Sequence, residues 1–107
     1  MKFKDLNLLP SLLKALEDKK YIEPTSIQQK AIPFILSRKD VLGSAQTGTG
    51  KTAAFALPII QHLENEMQSN SGRRKIRALI VTPTRELAIQ IRENFVSYSK
   101  YNKVKTT

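Results

Sequence analysis

Val41-Leu42-Gly43-Ser44-Ala45-Gln46-Thr47-Gly48-Thr49-Gly50-Lys51-Thr52 is the stretch whose reading decides the fold. Val41–Ala45 is short and apolar and follows the polar Arg38-Lys39-Asp40, as a buried strand would. From Lys51 to about Glu66 the apolar positions Phe55, Ile59 and Leu63 have helical spacing, with Pro58 expected to bend the helix. Between them Ala45–Thr52 occupies the strand–turn–helix context that a phosphate-binding P-loop requires. Gly48 and Gly50 reach backbone conformations barred to other residues, which lets successive N–H groups converge on phosphate oxygens. The helix that follows adds unpaired N–H groups and the positive end of its dipole. Lys51 is placed to meet the β- and γ-phosphates of a nucleoside triphosphate, the catalytic role in this stretch, and the Thr52 hydroxyl to coordinate Mg²⁺. The usual pattern opens with glycine, and Ala45 stands in that place.

Working outward, Leu9, Leu12, Leu13 and Leu16 recur at helical spacing, and Pro10 sits where a first turn tolerates it, so Pro10–Lys19 is expected to be an amphipathic helix. Thr25-Ser26-Ile27-Gln28 opens a second helix as a capping box, and Pro33 is expected to kink or end it. Asn65–Lys75 is aperiodic and polar, a surface loop. Ala78-Leu79-Ile80-Val81 is a continuous apolar run of the kind buried on both faces of a parallel sheet. Pro83 ends that run, and Thr84 is placed to cap a helix reaching about Lys100, with Leu87, Ile91, Phe95 and Tyr98 as its buried stripe. Strands alternating with helices define an α/β fold, a P-loop parallel sheet with flanking helices. Residues 1–40 read as a helical N-terminal segment and residues 41–107 as the first part of the nucleotide-binding domain.

With 107 residues the chain is at most one small domain, shorter than a complete P-loop sheet usually needs. Cysteine is absent, which excludes disulfides, thiolate zinc sites and thiol catalysis and fits a cytoplasmic setting. No apolar run approaches the roughly 20 residues of a membrane span, so no membrane partner is expected. The net charge of +9 is uneven: residues 1–70 hold nine Lys/Arg against seven Asp/Glu, and residues 71–107 hold nine against two. Charge alone leaves two readings open, a surface that attracts polyanions and a set of solvated lysines.

Three ordered motifs place that charge in a relevant context, although Arg73, Arg74 and Lys75 fall in a loop where solvation alone accounts for them. Tyr21-Ile22-Glu23-Pro24-Thr25-Ser26-Ile27-Gln28 resembles the Q motif of the DEAD-box RNA helicases, Ala45–Thr52 resembles their motif I, where alanine is the normal first residue, and Pro83-Thr84-Arg85-Glu86-Leu87 resembles their motif Ia. The overall pattern is similar to that of the bacterial members. The Gln28 amide carries an acceptor and donors, so it can pair with adenine N6 and N7 together, which selects ATP over GTP. Tyr21 offers a flat face to the base, Thr25 serves as cap and nucleotide contact, and the resemblance adds Phe3 as the upstream aromatic. Ala45, Gln46, Thr47, Gly48, Thr49, Gly50, Lys51 and Thr52 complete the ATP site. Pro83, Thr84 and Arg85 become one edge of a track that holds the RNA backbone without reading its sequence. The family commonly has glycine before the aromatic where this chain has Lys20, a strained choice if the position needs a positive φ.

The resemblance implies that the sheet is RecA-like and that the parent protein is an ATP-dependent RNA helicase, using ATP and Mg²⁺, with the acidic box, the Ser-Ala-Thr motif and a second RecA-like domain lying beyond Thr107. The segment alone is then expected to be ATPase-inactive and unstable, with unpaired sheet edges. A non-catalytic truncated product that keeps weak nucleotide or RNA binding is the alternative. A P-loop kinase or GTPase leaves Tyr21, Gln28 and Pro83–Leu87 unexplained. His62, the only histidine, falls outside every motif and is expected to be structural or exposed.

Overall fold

Each helix begins and ends on a signal that the local sequence supplies. The computed structural model describes residues 2–43, 50–67 and 77–106. After a 3₁₀ turn at Phe3–Leu6 come four helices: α1 (Pro10–Asp18), α2 (Ser26–Leu36), α3 (Lys51–Met67) and α4 (Arg85–Tyr98). Proline opens α1, where its missing N–H costs nothing. Thr25 caps α2, its N–H donating to Gln28 Oε1 at 2.9 Å, and Thr84 Oγ1 caps α4 by accepting from the Leu87 amide at 3.2 Å.

The C-termini of α1 and α2 both close as Schellman motifs. The Tyr21 amide reaches the Leu16 carbonyl and the Lys20 amide that of Glu17; likewise Lys39 reaches Phe34 and Arg38 reaches Ile35. The motif demands a left-handed residue, and Lys20 and Arg38, each at φ 61°, fill the place that glycine fills most cheaply. The strain anticipated at Lys20 is therefore present. Lys20→Gly is expected to stabilise the protein by about 0.5–1 kcal/mol, because relief of the left-handed penalty exceeds the added unfolded-state entropy. A urea midpoint at or below the parent's would contradict this.

Helix α3 lies at the centre, packed against α2 on one side and α4 on the other, while α1 rests on α4. Leu12 and Leu16 of α1, Ile32 of α2, Ala53, Ala56, Leu57 and Ile60 of α3, and Ile91, Phe95 and Tyr98 of α4 form the core. Phe3, Leu6 and Leu8 close it at the N-terminal end. Phe55 and Phe95 meet at 6.2 Å between ring centroids and tie α3 to α4.

Several sequence expectations are corrected. The two expected strands are not seen: residues 41–43 and 77–82 carry no regular secondary structure, and no strand occurs among the described residues. Leu42 is fully exposed, and Leu79 and Val81 are 81% and 82% exposed, although their apolar runs suit a sheet interior. A strand exists only through its ladder partners, and neither segment has one here. Ile80 alone packs on the core. Pro33 does not end α2, which runs three residues further; the proline deprives only the Gln29 carbonyl of its helical partner, on an exposed face. Helix α3 likewise continues through the buried Pro58. Its buried stripe is Ala53, Ala56, Leu57 and Ile60, one position round from the expected Phe55, Ile59 and Leu63, which pack at the core's margin. Leu87 is 37% exposed because the first turn of α4 projects beyond the helices that cover Ile91, Phe95 and Tyr98. Residues 68–75 of the expected surface loop lie outside the described residues.

Candidate functional site

The centre of the site is Gly50, which begins α3. Its φ of 85° and its surroundings both require glycine: a Cβ here would stand 2.3 Å from Gln28 Nε2, 3.2 Å from Gln28 Cδ and 3.2 Å from Thr25 Oγ1. The Gly50 carbonyl accepts twice, from the Ala54 amide at 3.2 Å and from Gln28 Nε2 at 3.1 Å. Gln28 is 3% exposed, with Oε1 on the Thr25 amide and Nε2 on Gly50. Thr25, Gln28 and Gly50, 22 residues apart between the last two, are thus brought together by the packing of α2 on α3.

The amides of Lys51, Thr52 and Ala53 precede the first intrahelical bond of α3, so they and the helix dipole face the end where Gly50 lies. Lys51 is exposed and Thr52 half-buried in that turn. This donor set, a glycine cradle that no Cβ could share, helix N–H groups, an ammonium and a hydroxyl, fits a polyphosphate with its divalent cation. Ala45, Gln46, Thr47, Gly48 and Thr49 lie outside the described residues.

Tyr21 follows the Schellman turn of α1 and is 45% exposed, leaving ring surface for a planar partner. Lys19 Nζ lies 5.6 Å from its centroid and 5.3 Å from that of Tyr98. Burial, with Tyr21 beside it, pushes the Tyr98 phenol up to about 12, so this ring stays neutral under the cation. Phe3 is placed differently from an open base platform: its ring is 4% exposed within the core, and its amide donates to the Ile22 carbonyl at 3.3 Å.

At the start of α4, Pro83, Thr84 and Arg85 are all exposed. Thr82 Oγ1 donates to the Thr84 carbonyl at 2.9 Å, fixing the turn, and the Thr84 hydroxyl keeps its own proton free to donate. Away from these groups, Asp18 is held below the usual carboxylate range by the Tyr101 hydroxyl and then by Lys100, and Glu66 by Arg38 and Arg77. His62 Nε2 meets the Ile35 carbonyl at 2.8 Å, a tie between α3 and the end of α2.

Sequence reading missed Gln61, whose buried amide joins α3 to the N-terminal turn, accepting from the Leu9 amide at 2.8 Å and donating to the Asn7 carbonyl at 3.0 Å. Only its apolar surroundings at helical spacing could have marked it as an inward-facing amide.

The start of α3 is thus a glycine-led helix N-terminus backed by a glutamine of the neighbouring helix α2. The family model for DEAD/DEAH box helicases matches residues 25–107, and the chain belongs to that family. It is 48% identical over 104 residues to the DEAD-box ATP-dependent RNA helicase RhpA of Helicobacter pylori, covering 97% of this chain and 20% of that protein. It is 55% identical over 91 residues to the ATP-dependent RNA helicase SrmB of Haemophilus influenzae, covering 85% of this chain and 20% of the relative. A DEAD box protein from the hyperthermophile Methanococcus jannaschii superposes with a TM-score of 0.78 at 45% identity, over 92% of this chain and 25% of that one. The RNA helicase Prp28 from Chaetomium thermophilum, bound to ADP, gives 0.78 at 40% identity over 92% of this chain and 24% of its own. The chain thus spans about a fifth of the length of these curated relatives. No described helix is long and apolar enough to cross a membrane.

Proposed function

We propose that this chain is the ATP-binding, N-terminal part of the first RecA-like domain of an ATP-dependent RNA helicase, residues 1–40 carrying the Q motif and residues 41–107 the phosphate loop and motif Ia. The observation that carries the reading is the convergence of Thr25 and Gln28 on Gly50, which joins a base-selecting element to a phosphate cradle. Bound ATP with Mg²⁺ supplies the transferable phosphoryl group and the charge that polarises it.

Within this site Lys51 neutralises charge on the outer phosphates, and the amides of the first turn of α3 orient them. The Thr52 hydroxyl would hold the cation, and Ala45, Gln46, Thr47, Gly48 and Thr49 are assigned to the same ATP site from the motif they form. Gln28 still has one N–H and one oxygen lone pair after its two bonds within the chain, the pair that adenine N7 and N6 require. Guanine presents an acceptor where that lone pair needs a donor. Tyr21 stacks on the base, and Phe3 supports that contact from beneath through the Ile22 carbonyl. Thr84 and Arg85, with Pro83 fixing the turn, grip RNA phosphates without reading bases. A second RecA-like domain closes over ATP and RNA together, and hydrolysis of ATP to ADP and phosphate releases the RNA. The setting consistent with this activity is the cytoplasm.

The full-length gene product is expected to bind ATP at least about tenfold more tightly than GTP, the discrimination that one unsatisfied polar pair commonly supports. Its hydrolysis should rise on adding RNA of arbitrary sequence. Equal affinities for the two nucleotides would overturn the base assignment, and turnover indifferent to RNA would overturn the helicase reading.

A further inference from the structure

A polar side chain of α3 is hydrogen-bonded to the backbone that follows the N-terminal turn. Gln61 lies ten residues beyond Lys51 on α3, 9% exposed, and both ends of its amide bond to backbone more than fifty positions away: Leu9 N–H at 2.8 Å and Asn7 C=O at 3.0 Å. Only one orientation of the amide satisfies both partners, so its placement is unambiguous. The loop it grips is not free to adopt other shapes, since Asn7 sits at φ 61° and Leu6 and Leu8 on either side are buried. That loop carries two elements at once. On one side is the turn whose Phe3 amide holds the Ile22 carbonyl, next to Tyr21. On the other is α1, whose C-terminal Schellman turn delivers Tyr21 itself.

We propose that Gln61 is a positioning residue for nucleotide recognition, fixing the base platform at Tyr21 in register with the phosphate-binding start of α3. The inference rests on the ATP-binding reading of Gly50–Thr52 and Tyr21 given above. The physical reason is that the base and the phosphates are held by separate parts of the chain. Phosphates meet α3, and the base meets the segment leading into α2. Gln28 couples the second of these to Gly50, and Gln61 supplies an independent tie, through the N-terminal turn, to the same α3. Losing that tie leaves the phosphate cradle whole while the aromatic platform shifts. A displacement of about 1 Å in a stacked or hydrogen-bonded ligand group is enough to be felt strongly.

The test compares ATP with inorganic tripolyphosphate as ligands of the full-length gene product. Gln61→Leu, which removes both hydrogen bonds at similar volume, should weaken ATP about tenfold, and tripolyphosphate less than about twofold. The loss should fall on KM for ATP more than on kcat. Gln61→Glu keeps an acceptor for the Leu9 amide and loses the donor to Asn7, so its defect should have the same pattern. Equal weakening of ATP and tripolyphosphate, unchanged ATP binding, or failure of both variants to fold would each overturn the proposal and leave Gln61 a core residue only. A wild-type protein that binds tripolyphosphate but shows no preference for ATP would instead remove the base-binding reading on which the proposal stands.

Discussion

Lys51→Ala is expected to lower ATP turnover of the full-length gene product by about 10²–10³-fold, the usual cost of deleting one preorganised charge at a reacting phosphoryl group. The side chain is exposed in the first turn of α3, so truncation opens no cavity and stability should change by less than about 0.5 kcal/mol. That separation makes the experiment decisive. Loss of turnover with an unchanged melting temperature assigns Lys51 to the chemistry. Turnover within a few-fold of wild type would mean that the phosphates lie elsewhere. Lys51→Arg should not restore activity fully, because a planar guanidinium fork cannot occupy the point-charge position of an ammonium.

Gly50→Ala is expected to be the most damaging conservative change in the chain, destabilising it by about 2–4 kcal/mol and abolishing tight ATP binding. Two costs combine. Alanine is strained at φ 85°, and its Cβ would stand 2.3 Å from Gln28 Nε2. Gln28 has no easy retreat, since it is buried and held by the Thr25 amide. Moving it breaks its bonds to both Thr25 and Gly50. The double variant Gly50→Ala/Gln28→Ala removes the clash and should recover part of the stability, a non-additivity that strain at φ alone would not produce. Denaturant midpoints of the two single variants and the double provide the measurement. Strict additivity would show that the contact with Gln28 is not what excludes a side chain at position 50.

These two residues also show how far sequence reading reaches. Lys51 was legible because Gly-Lys-Thr after an apolar segment places an ammonium at a helix start, a purely local consequence of backbone geometry. Gly50 was legible as a turn residue, but the atoms that forbid its substitution belong to α2, and no spacing announces that contact. The Thr25–Gln28 capping box was read as both cap and base contact; the cap is formed, and the same amide spends its donor on Gly50. Tyr21, read as a flat face for a base, is 45% exposed, whereas Phe3, assigned beside it by family resemblance, has its ring in the core. Leu87 fitted the helical stripe of α4 yet is 37% exposed in its first turn, whereas Ile91, Phe95 and Tyr98 are buried. Hydrophobic periodicity identifies which face of an element would be buried, and not how much of its length a neighbour overlays.

By itself the sequence determined the helices and their caps, because these depend on hydrogen bonds and steric limits within a few residues of chain. The left-handed turn at Lys20 was raised only as a condition, through the glycine that the family commonly has there, and the structure shows it formed. Only the tertiary structure decided that Gln28 and Gly50 share a hydrogen bond, that Gln61 clamps the N-terminal turn, and that Val41–Gly43 and Leu79–Val81 form no sheet among the described residues. Such contacts join residues far apart in the chain, and a strand's apolar pattern becomes a sheet only when another strand supplies the opposite half of its hydrogen bonds.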